Sequence, residues 1–131
     1  MGKPAAKQND SITATDVHDV VVDGSATPQS LPHPFNGRLD NDLSRNVYVN
    51  GQAAATKGSG ATNSPPHTPT PPGKSFVNPP GNRGVIIGGS GSGYITGRSA
   101  ARDGDSARTC ADPAANTTGS VNAAGNVYMG S

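Results

Sequence analysis

The sequence has no tryptophan, two phenylalanines and three tyrosines, and only 31% of its 131 residues are hydrophobic. A chain this poor in large apolar side chains can close one small core, so residues 1–131 read as a single domain. Long hydrophobic runs are also missing. The N-terminus offers no apolar stretch for a signal-peptide core, and nothing approaches membrane-spanning length. Gly2 is followed by Ala6 where a myristoylation signal requires Ser or Thr. The chain is therefore expected to be made in the cytoplasm without a signal peptide. Cys110 is the single cysteine, which excludes an internal disulfide. Charge is scarce as well: ten Lys and Arg against nine Asp and Glu leave a net +1, with no basic stripe for nucleic acid and no cationic face for a membrane. "GGSGSG" at 88–93 lacks the Lys-Ser or Lys-Thr pair and the helix start of a phosphate cradle, so no small-molecule substrate is expected.

What the chain has in excess is turn-forming residues. Eighteen Gly and twelve Pro, with a mean hydropathy of −0.53, suit either a disordered chain or a turn-dense β fold. Near-neutral charge removes the self-repulsion that keeps chains open, which favours the folded, mostly-β alternative. Helical periodicity is absent. "NSPPHTPTPPG" and "NPPGNRG" are extended or turning segments, and "NTTGSVN" interrupts the one Ala-rich stretch, Ala114 to Ala124. So small a core without a disulfide needs another staple, and a metal ion is the candidate.

One phrase recurs: "MGKPAAKQND" at 1–10, "NGQAAATKGSG" at 50–60 and "TGRSAARDGD" at 96–105. Aligned on Gly2, Gly51 and Gly97, the copies place His18 and His67 each sixteen residues beyond the glycine, while Cys110 follows Gly97 by thirteen. A period near fifty residues signals a repeat architecture, here three pseudo-threefold copies around a shared centre. Short strands precede the glycines in "NVYVNG" and "GYITG", each followed by a turn-forming pair, and a third, "NVYMGS", ends the sequence. These align Tyr48, Tyr94 and Tyr128, and beside them Val49, Ile95 and Met129. Residues 126–131 are expected to supply the strand missing before Gly2, bringing Ser131 close to it. Strand alternation sends the two sets to opposite faces, with the aliphatic set in the core and the tyrosines, apolar in ring and polar at the tip, on a partner interface.

His18, His33, His67 and Cys110 are all the histidines and the only cysteine. Imidazole nitrogen and thiolate sulfur suit zinc, and four such donors fill a tetrahedron, which makes a structural site. The bland alternative is unconnected surface histidines and a small buried thiol; the register between His18 and His67 favours one bound Zn2+. A small zinc hydrolase would keep one position open for water, but no Glu stands beside a ligand histidine to act as base. Cys110 with His18 or His67 and Asp103 or Asp105 has no local signature of a thiol nucleophile, and the two aspartates are too few for calcium.

The phrases "KPAAKQND", "GQAAATKGSG" and "GRSAARDGD" resemble the Pro-Ala-Ala-Arg motifs of PAAR-repeat proteins, and "LPHPFNG" and "NVYVNG" resemble the segments between them. Lys7 stands where Arg is usual, and the second copy has Thr56 and no Arg. The resemblance implies a small cone of short strands and long Pro/Gly-rich loops, with a structural zinc at the apex held by three His and one Cys, here His18, His33, His67 and Cys110. It further implies that the cone is a spike tip of a contractile injection apparatus, a type VI secretion system, contractile phage tail or related particle. One tip would cap each trimeric spike and meet the target membrane only transiently, with no enzyme activity. The protein would then leave the producing cell on that particle, and Tyr48, Tyr94 and Tyr128 would be its partner-binding residues.

Overall fold

The computed structural model describes residues 2–111 and 115–130. These form an all-β fold: β1 (Lys3–Pro4), β2 (Ser11–Val22), β3 (Gln29–Asn41), β4 (Tyr48–Val49), β5 (Gln52–Ala53), β6 (Gly60–Asn63), β7 (Gly73–Phe76), β8 (Arg83–Ile86), β9 (Tyr94–Ile95), β10 (Arg98–Ser99), β11 (Ser106–Thr109), β12 (Asn116–Asn122) and β13 (Tyr128–Met129). Among the described residues no helix is long and apolar enough to cross a membrane.

Three two-stranded ribbons, β4–β5, β9–β10 and β1–β13, stand apart from one larger sheet. Two of them are tight hairpins whose turns need positive φ at both central residues: Asn50 and Gly51 at 50° and 81°, Thr96 and Gly97 at 51° and 81°. The third joins distant segments, pairing Lys3 with Met129 and Pro4 with Tyr128. The expected closing segment runs on to Ser131, which lies outside the described residues. Alternation buries Val49 and Ile95 against Ala5, Ala54 and Ala100, with Met129 partly buried against them, and leaves the three tyrosines exposed.

Behind the ribbons three backbone bonds close on themselves. The amide of Ala6 donates to Ala101 at 2.9 Å, Ala101 to Ala55 at 3.1 Å, and Ala55 back to Ala6 at 3.0 Å. All three alanines are buried where the three backbones meet. A matching turn follows each one. Lys7, Thr56 and Arg102 donate their amides to side-chain oxygens of Asp10, Ser59 and Asp105, at 3.0, 3.0 and 2.7 Å.

The larger sheet runs β12-β11-β8-β6-β3-β2, and a further β12–β2 pairing closes these six strands into a barrel. Ile12, Phe35, Leu39, Ala61, Ile86, Ala107 and Val121 fill it. Phe35 lies where side chains at Gly37 and Gly84 would be: a Cβ on Gly37 would come within 2.9 Å of its ring, and one on Gly84 within 3.2 Å. Beyond the barrel β2 and β3 continue together, paired from Ser11 opposite Arg38 to Val20 opposite Gln29. β12 joins β2 only at residues 11–13 and β6 joins β3 only at 37–41, while β7 joins β2 at residues 20–22. Six strands thus narrow to three.

This hairpin is the largest departure from the sequence reading, which found strands only before the glycines. The inward file of β2 is Ile12, Ala14, Asp16, His18 and Val20, so two polar residues break the hydrophobic alternation. "NTTGSVN", which breaks the Ala-rich stretch, is β12, and Ala114 lies outside the described residues.

Candidate metal centre

The polar part of that inward file opens the site. Asp16 and His18 are two apart on β2 and share its buried face, and His33 on β3 lies directly opposite Asp16. The Pro-rich segment between β6 and β7 folds over them and delivers His67, while Cys110 arrives at the end of β11. Donor atoms of Asp16, His18, His67 and Cys110 all lie within 4.8 Å of one another.

Asp16 is the hub. Its Oδ2 is 3.1 Å from His67 Nε2 and 3.5 Å from Cys110 Sγ. Its Oδ1 accepts from the Thr109 hydroxyl and, at 3.3 Å, from Asn116 Nδ2. Asn63 orients His67: its Oδ1 accepts the Asn36 amide at 2.9 Å, which turns its Nδ2 to His67 Nδ1 at 3.2 Å. With Nδ1 accepting, the ring proton of His67 sits on Nε2 and is donated to Asp16. Asn82 Oδ1 holds the backbone of His67 at 2.8 Å.

His18 is the counterpart to this satisfied network. Both of its ring nitrogens are buried without a hydrogen-bond partner. An imidazole must carry at least one N–H, and leaving it unpaired in the interior is costly unless another group takes the site. A metal ion could take the lone pair of one nitrogen of this ring, the proton then sitting on the other. Two imidazoles, a thiolate and a carboxylate are a zinc-type donor set, and their two negative charges neutralise a divalent ion away from water. Burial lowers the affinity of His18 for a proton below the usual histidine value, reinforced by His67 nearby, and burial does the same to His33. Burial also raises the pKa of the Cys110 thiol, so a metal must displace a proton there on binding.

Of the four expected ligands, His18, His67 and Cys110 are brought together. His33 is a neighbour with its own partners. Its ring centroid is 5.4 Å from that of His18 and 5.6 Å from that of His67, but Nδ1 contacts the Leu31 carbonyl at 2.8 Å and Nε2 accepts the Thr70 amide at 3.1 Å. Asp16 was missed. The signal for it was its spacing of two from His18, legible only once residues 11–22 are recognised as a strand. Asp103 and Asp105 serve in turns: Asp105 pairs with Arg102, and Asp103 accepts the Ala123 amide at 2.9 Å. No family model and no curated protein matches the chain.

Proposed function

We propose that the protein is a metal-pinned spike tip, a non-enzymatic cap that sharpens the trimeric spike of a contractile injection apparatus and helps it breach a target membrane. In this reading the three ribbons are the corners of a pseudo-threefold base, the alanine ring is its axis, and the narrowing hairpin is the point, clasped by one zinc ion. Asp16, His18, His67 and Cys110 would hold the ion. Bound there, zinc would supply folding free energy and no reactivity, because four protein donors leave no position for water.

The observation that carries this reading is the equivalence of the three tyrosines. Tyr48, Tyr94 and Tyr128 occupy the same place on three ribbons and are 61%, 63% and 60% exposed. One chain thereby presents nearly the same surface three times, which is what docking on the end of a homotrimer requires. Exposed tyrosines suit such an interface, dry at its centre and wet at its rim.

Mixing the purified chain with a purified spike trimer and measuring the mass of the complex in solution tests the reading. One chain per trimer is expected, with the triple Tyr→Asp variant folded and unable to bind. Binding of one chain per subunit, or self-trimerisation of this chain, would overturn it.

A further inference from the structure

Resting on the metal-pinned reading, we propose that Asp16 is itself a metal ligand through Oδ2, and that His33 stays outside the coordination shell as the latch of the loop that carries His67. The first half follows from two distances. Zinc bonds are about 2.0–2.1 Å to carboxylate oxygen and imidazole nitrogen and about 2.3 Å to sulfur; tetrahedral angles then separate oxygen from nitrogen by about 3.3 Å and oxygen from sulfur by about 3.5 Å. Asp16 Oδ2 lies 3.1 Å from His67 Nε2 and 3.5 Å from Cys110 Sγ. These two contacts have the dimensions of two edges of a coordination tetrahedron. The other carboxylate oxygen is already held by Thr109 and Asn116, which is how an outer shell aims a monodentate carboxylate. His18, with no partner for either nitrogen, completes the set.

His33 is engaged on both sides. Its Nδ1 faces a carbonyl and therefore carries the proton, which leaves Nε2 as the acceptor for the Thr70 amide. Ligation at Nε2 would strip that amide of its partner. The Thr70 hydroxyl also donates to the Pro32 carbonyl at 2.7 Å, so one residue of the loop is fastened twice to the strand that carries His33. Two residues of the 63–72 segment are thus fixed independently, His67 by Asn82 and Thr70 by His33. Metal at His67 Nε2 moves that ring's proton to Nδ1, and the Asn63 carboxamide must then turn its oxygen to it, giving up its bonds to the Asn36 amide and to Asn82 Oδ1.

Cobalt(II) substitution in the full-length protein tests the assignment, because its visible spectrum reports the ligand set. In wild type, one thiolate-to-cobalt charge-transfer band is expected. Asp16→Cys should keep the metal and intensify that band, since a second thiolate enters the shell. Asp16→Asn should weaken zinc binding in chelator competition by more than the roughly 10- to 100-fold that loss of an outer-shell partner costs. His33→Gln should leave the cobalt spectrum unchanged while making residues 64–72 easier to cleave with protease. An Asp16→Cys protein that binds cobalt with an unaltered band, or a His33→Gln protein with a changed spectrum, would overturn this inference and leave the pinned-tip reading standing. A wild-type chain that binds neither zinc nor cobalt would overturn both.

Discussion

At the ribbon end, Ala5, Ala54 and Ala100 are buried between short strands, and Ala6, Ala55 and Ala101 exchange backbone hydrogen bonds around a closed ring. A few residues along β2 the buried file changes character, from Ile12 and Ala14 to Asp16 and His18. In the first region the small alanines pair through their own backbone, and the side chains of Asp10, Ser59 and Asp105 cap the turns that follow. The second gathers a carboxylate, a thiol and imidazoles in a space where one ring has no hydrogen-bond partner. The ribbon end pairs its buried groups internally, whereas the histidine end leaves one buried ring unpartnered in a cluster that could hold a metal ion.

Removing the metal is the sharpest way to break this contrast and carries the largest expected effect. Structural zinc in small peptides contributes on the order of 10 kcal/mol to folding. Chelation at equilibrium should therefore lower the melting temperature steeply, and Cys110→Ser should mimic it. Native-state hydrogen exchange should show the β2–β3 extension losing protection first, with the amides of Ala6, Ala55 and Ala101 persisting until global unfolding. Equal loss at both ends would show that they are one cooperative unit.

The next effect belongs to the ribbon end. Arg102 donates from Nη2 to Asp105 at 2.7 Å and to the Gly89 carbonyl at 3.2 Å, and from Nη1 to the Gly130 carbonyl at 3.0 Å. The pair is nearly buried, with side-chain exposures of 11% and 5%. Arg102→Met strands the Asp105 carboxylate and should cost about 3–5 kcal/mol in denaturant unfolding. Lys7→Met, at the somewhat more exposed equivalent with Asp10, where the side chains are 15% and 16% exposed, should cost less.

A smaller and conditional effect follows from pH in the metal-free chain. Both His18 and His33 have folded pKa values pushed below the usual 6.5, chiefly by burial. Below 6.5 the unfolded chain takes up protons that the folded chain resists, so stability falls as pH drops from 6.5 toward the depressed values. The slope is about 1.4 kcal/mol per pH unit for each histidine. Urea titrations at successive pH values measure it; a flat profile from pH 7 to 5 would show that these rings do not stay neutral on folding.

The two ends also differ in how plainly the sequence displays them. The ribbons are legible because their turns demand Asn-Gly or a near equivalent and because every tyrosine falls in one register. The barrel's long hairpin is obscured by the residues that make it interesting. Asp16 and His18 sit where alternation calls for apolar side chains, and Pro32 and Pro34 argue against a strand. Those prolines are tolerated because β6 reaches β3 only from residue 37, so their missing N–H groups fall on an edge with no ladder to complete. The repeat register found His18, His67 and Cys110. It had no means of finding Asp16, whose place in the cluster comes from strand alternation and has no counterpart in the other copies.

The smallest expected effect tests whether the three turns of the ribbon end are interchangeable. In the second copy the ion pair of the other two is replaced by Thr56 and Ser59, both neutral. Ser59 does the work of both partners: its Oγ accepts the Thr56 amide at 3.0 Å and donates to the Asp42 carbonyl at 2.8 Å. Where Lys7 reaches across to the Ala124 carbonyl and Arg102 to that of Gly89, here the hydroxyl spans the gap alone. Ser59 is fully buried, so Ser59→Ala leaves an amide and a carbonyl without this partner but strands no charge. It should cost about 1–3 kcal/mol, below Arg102→Met, because a neutral group carries a smaller desolvation penalty than an unpaired carboxylate. Guanidinium unfolding of the two variants side by side measures the gap. If Ser59→Ala proved as damaging as Arg102→Met, the backbone ring and not the charge at each corner would set the stability of this end.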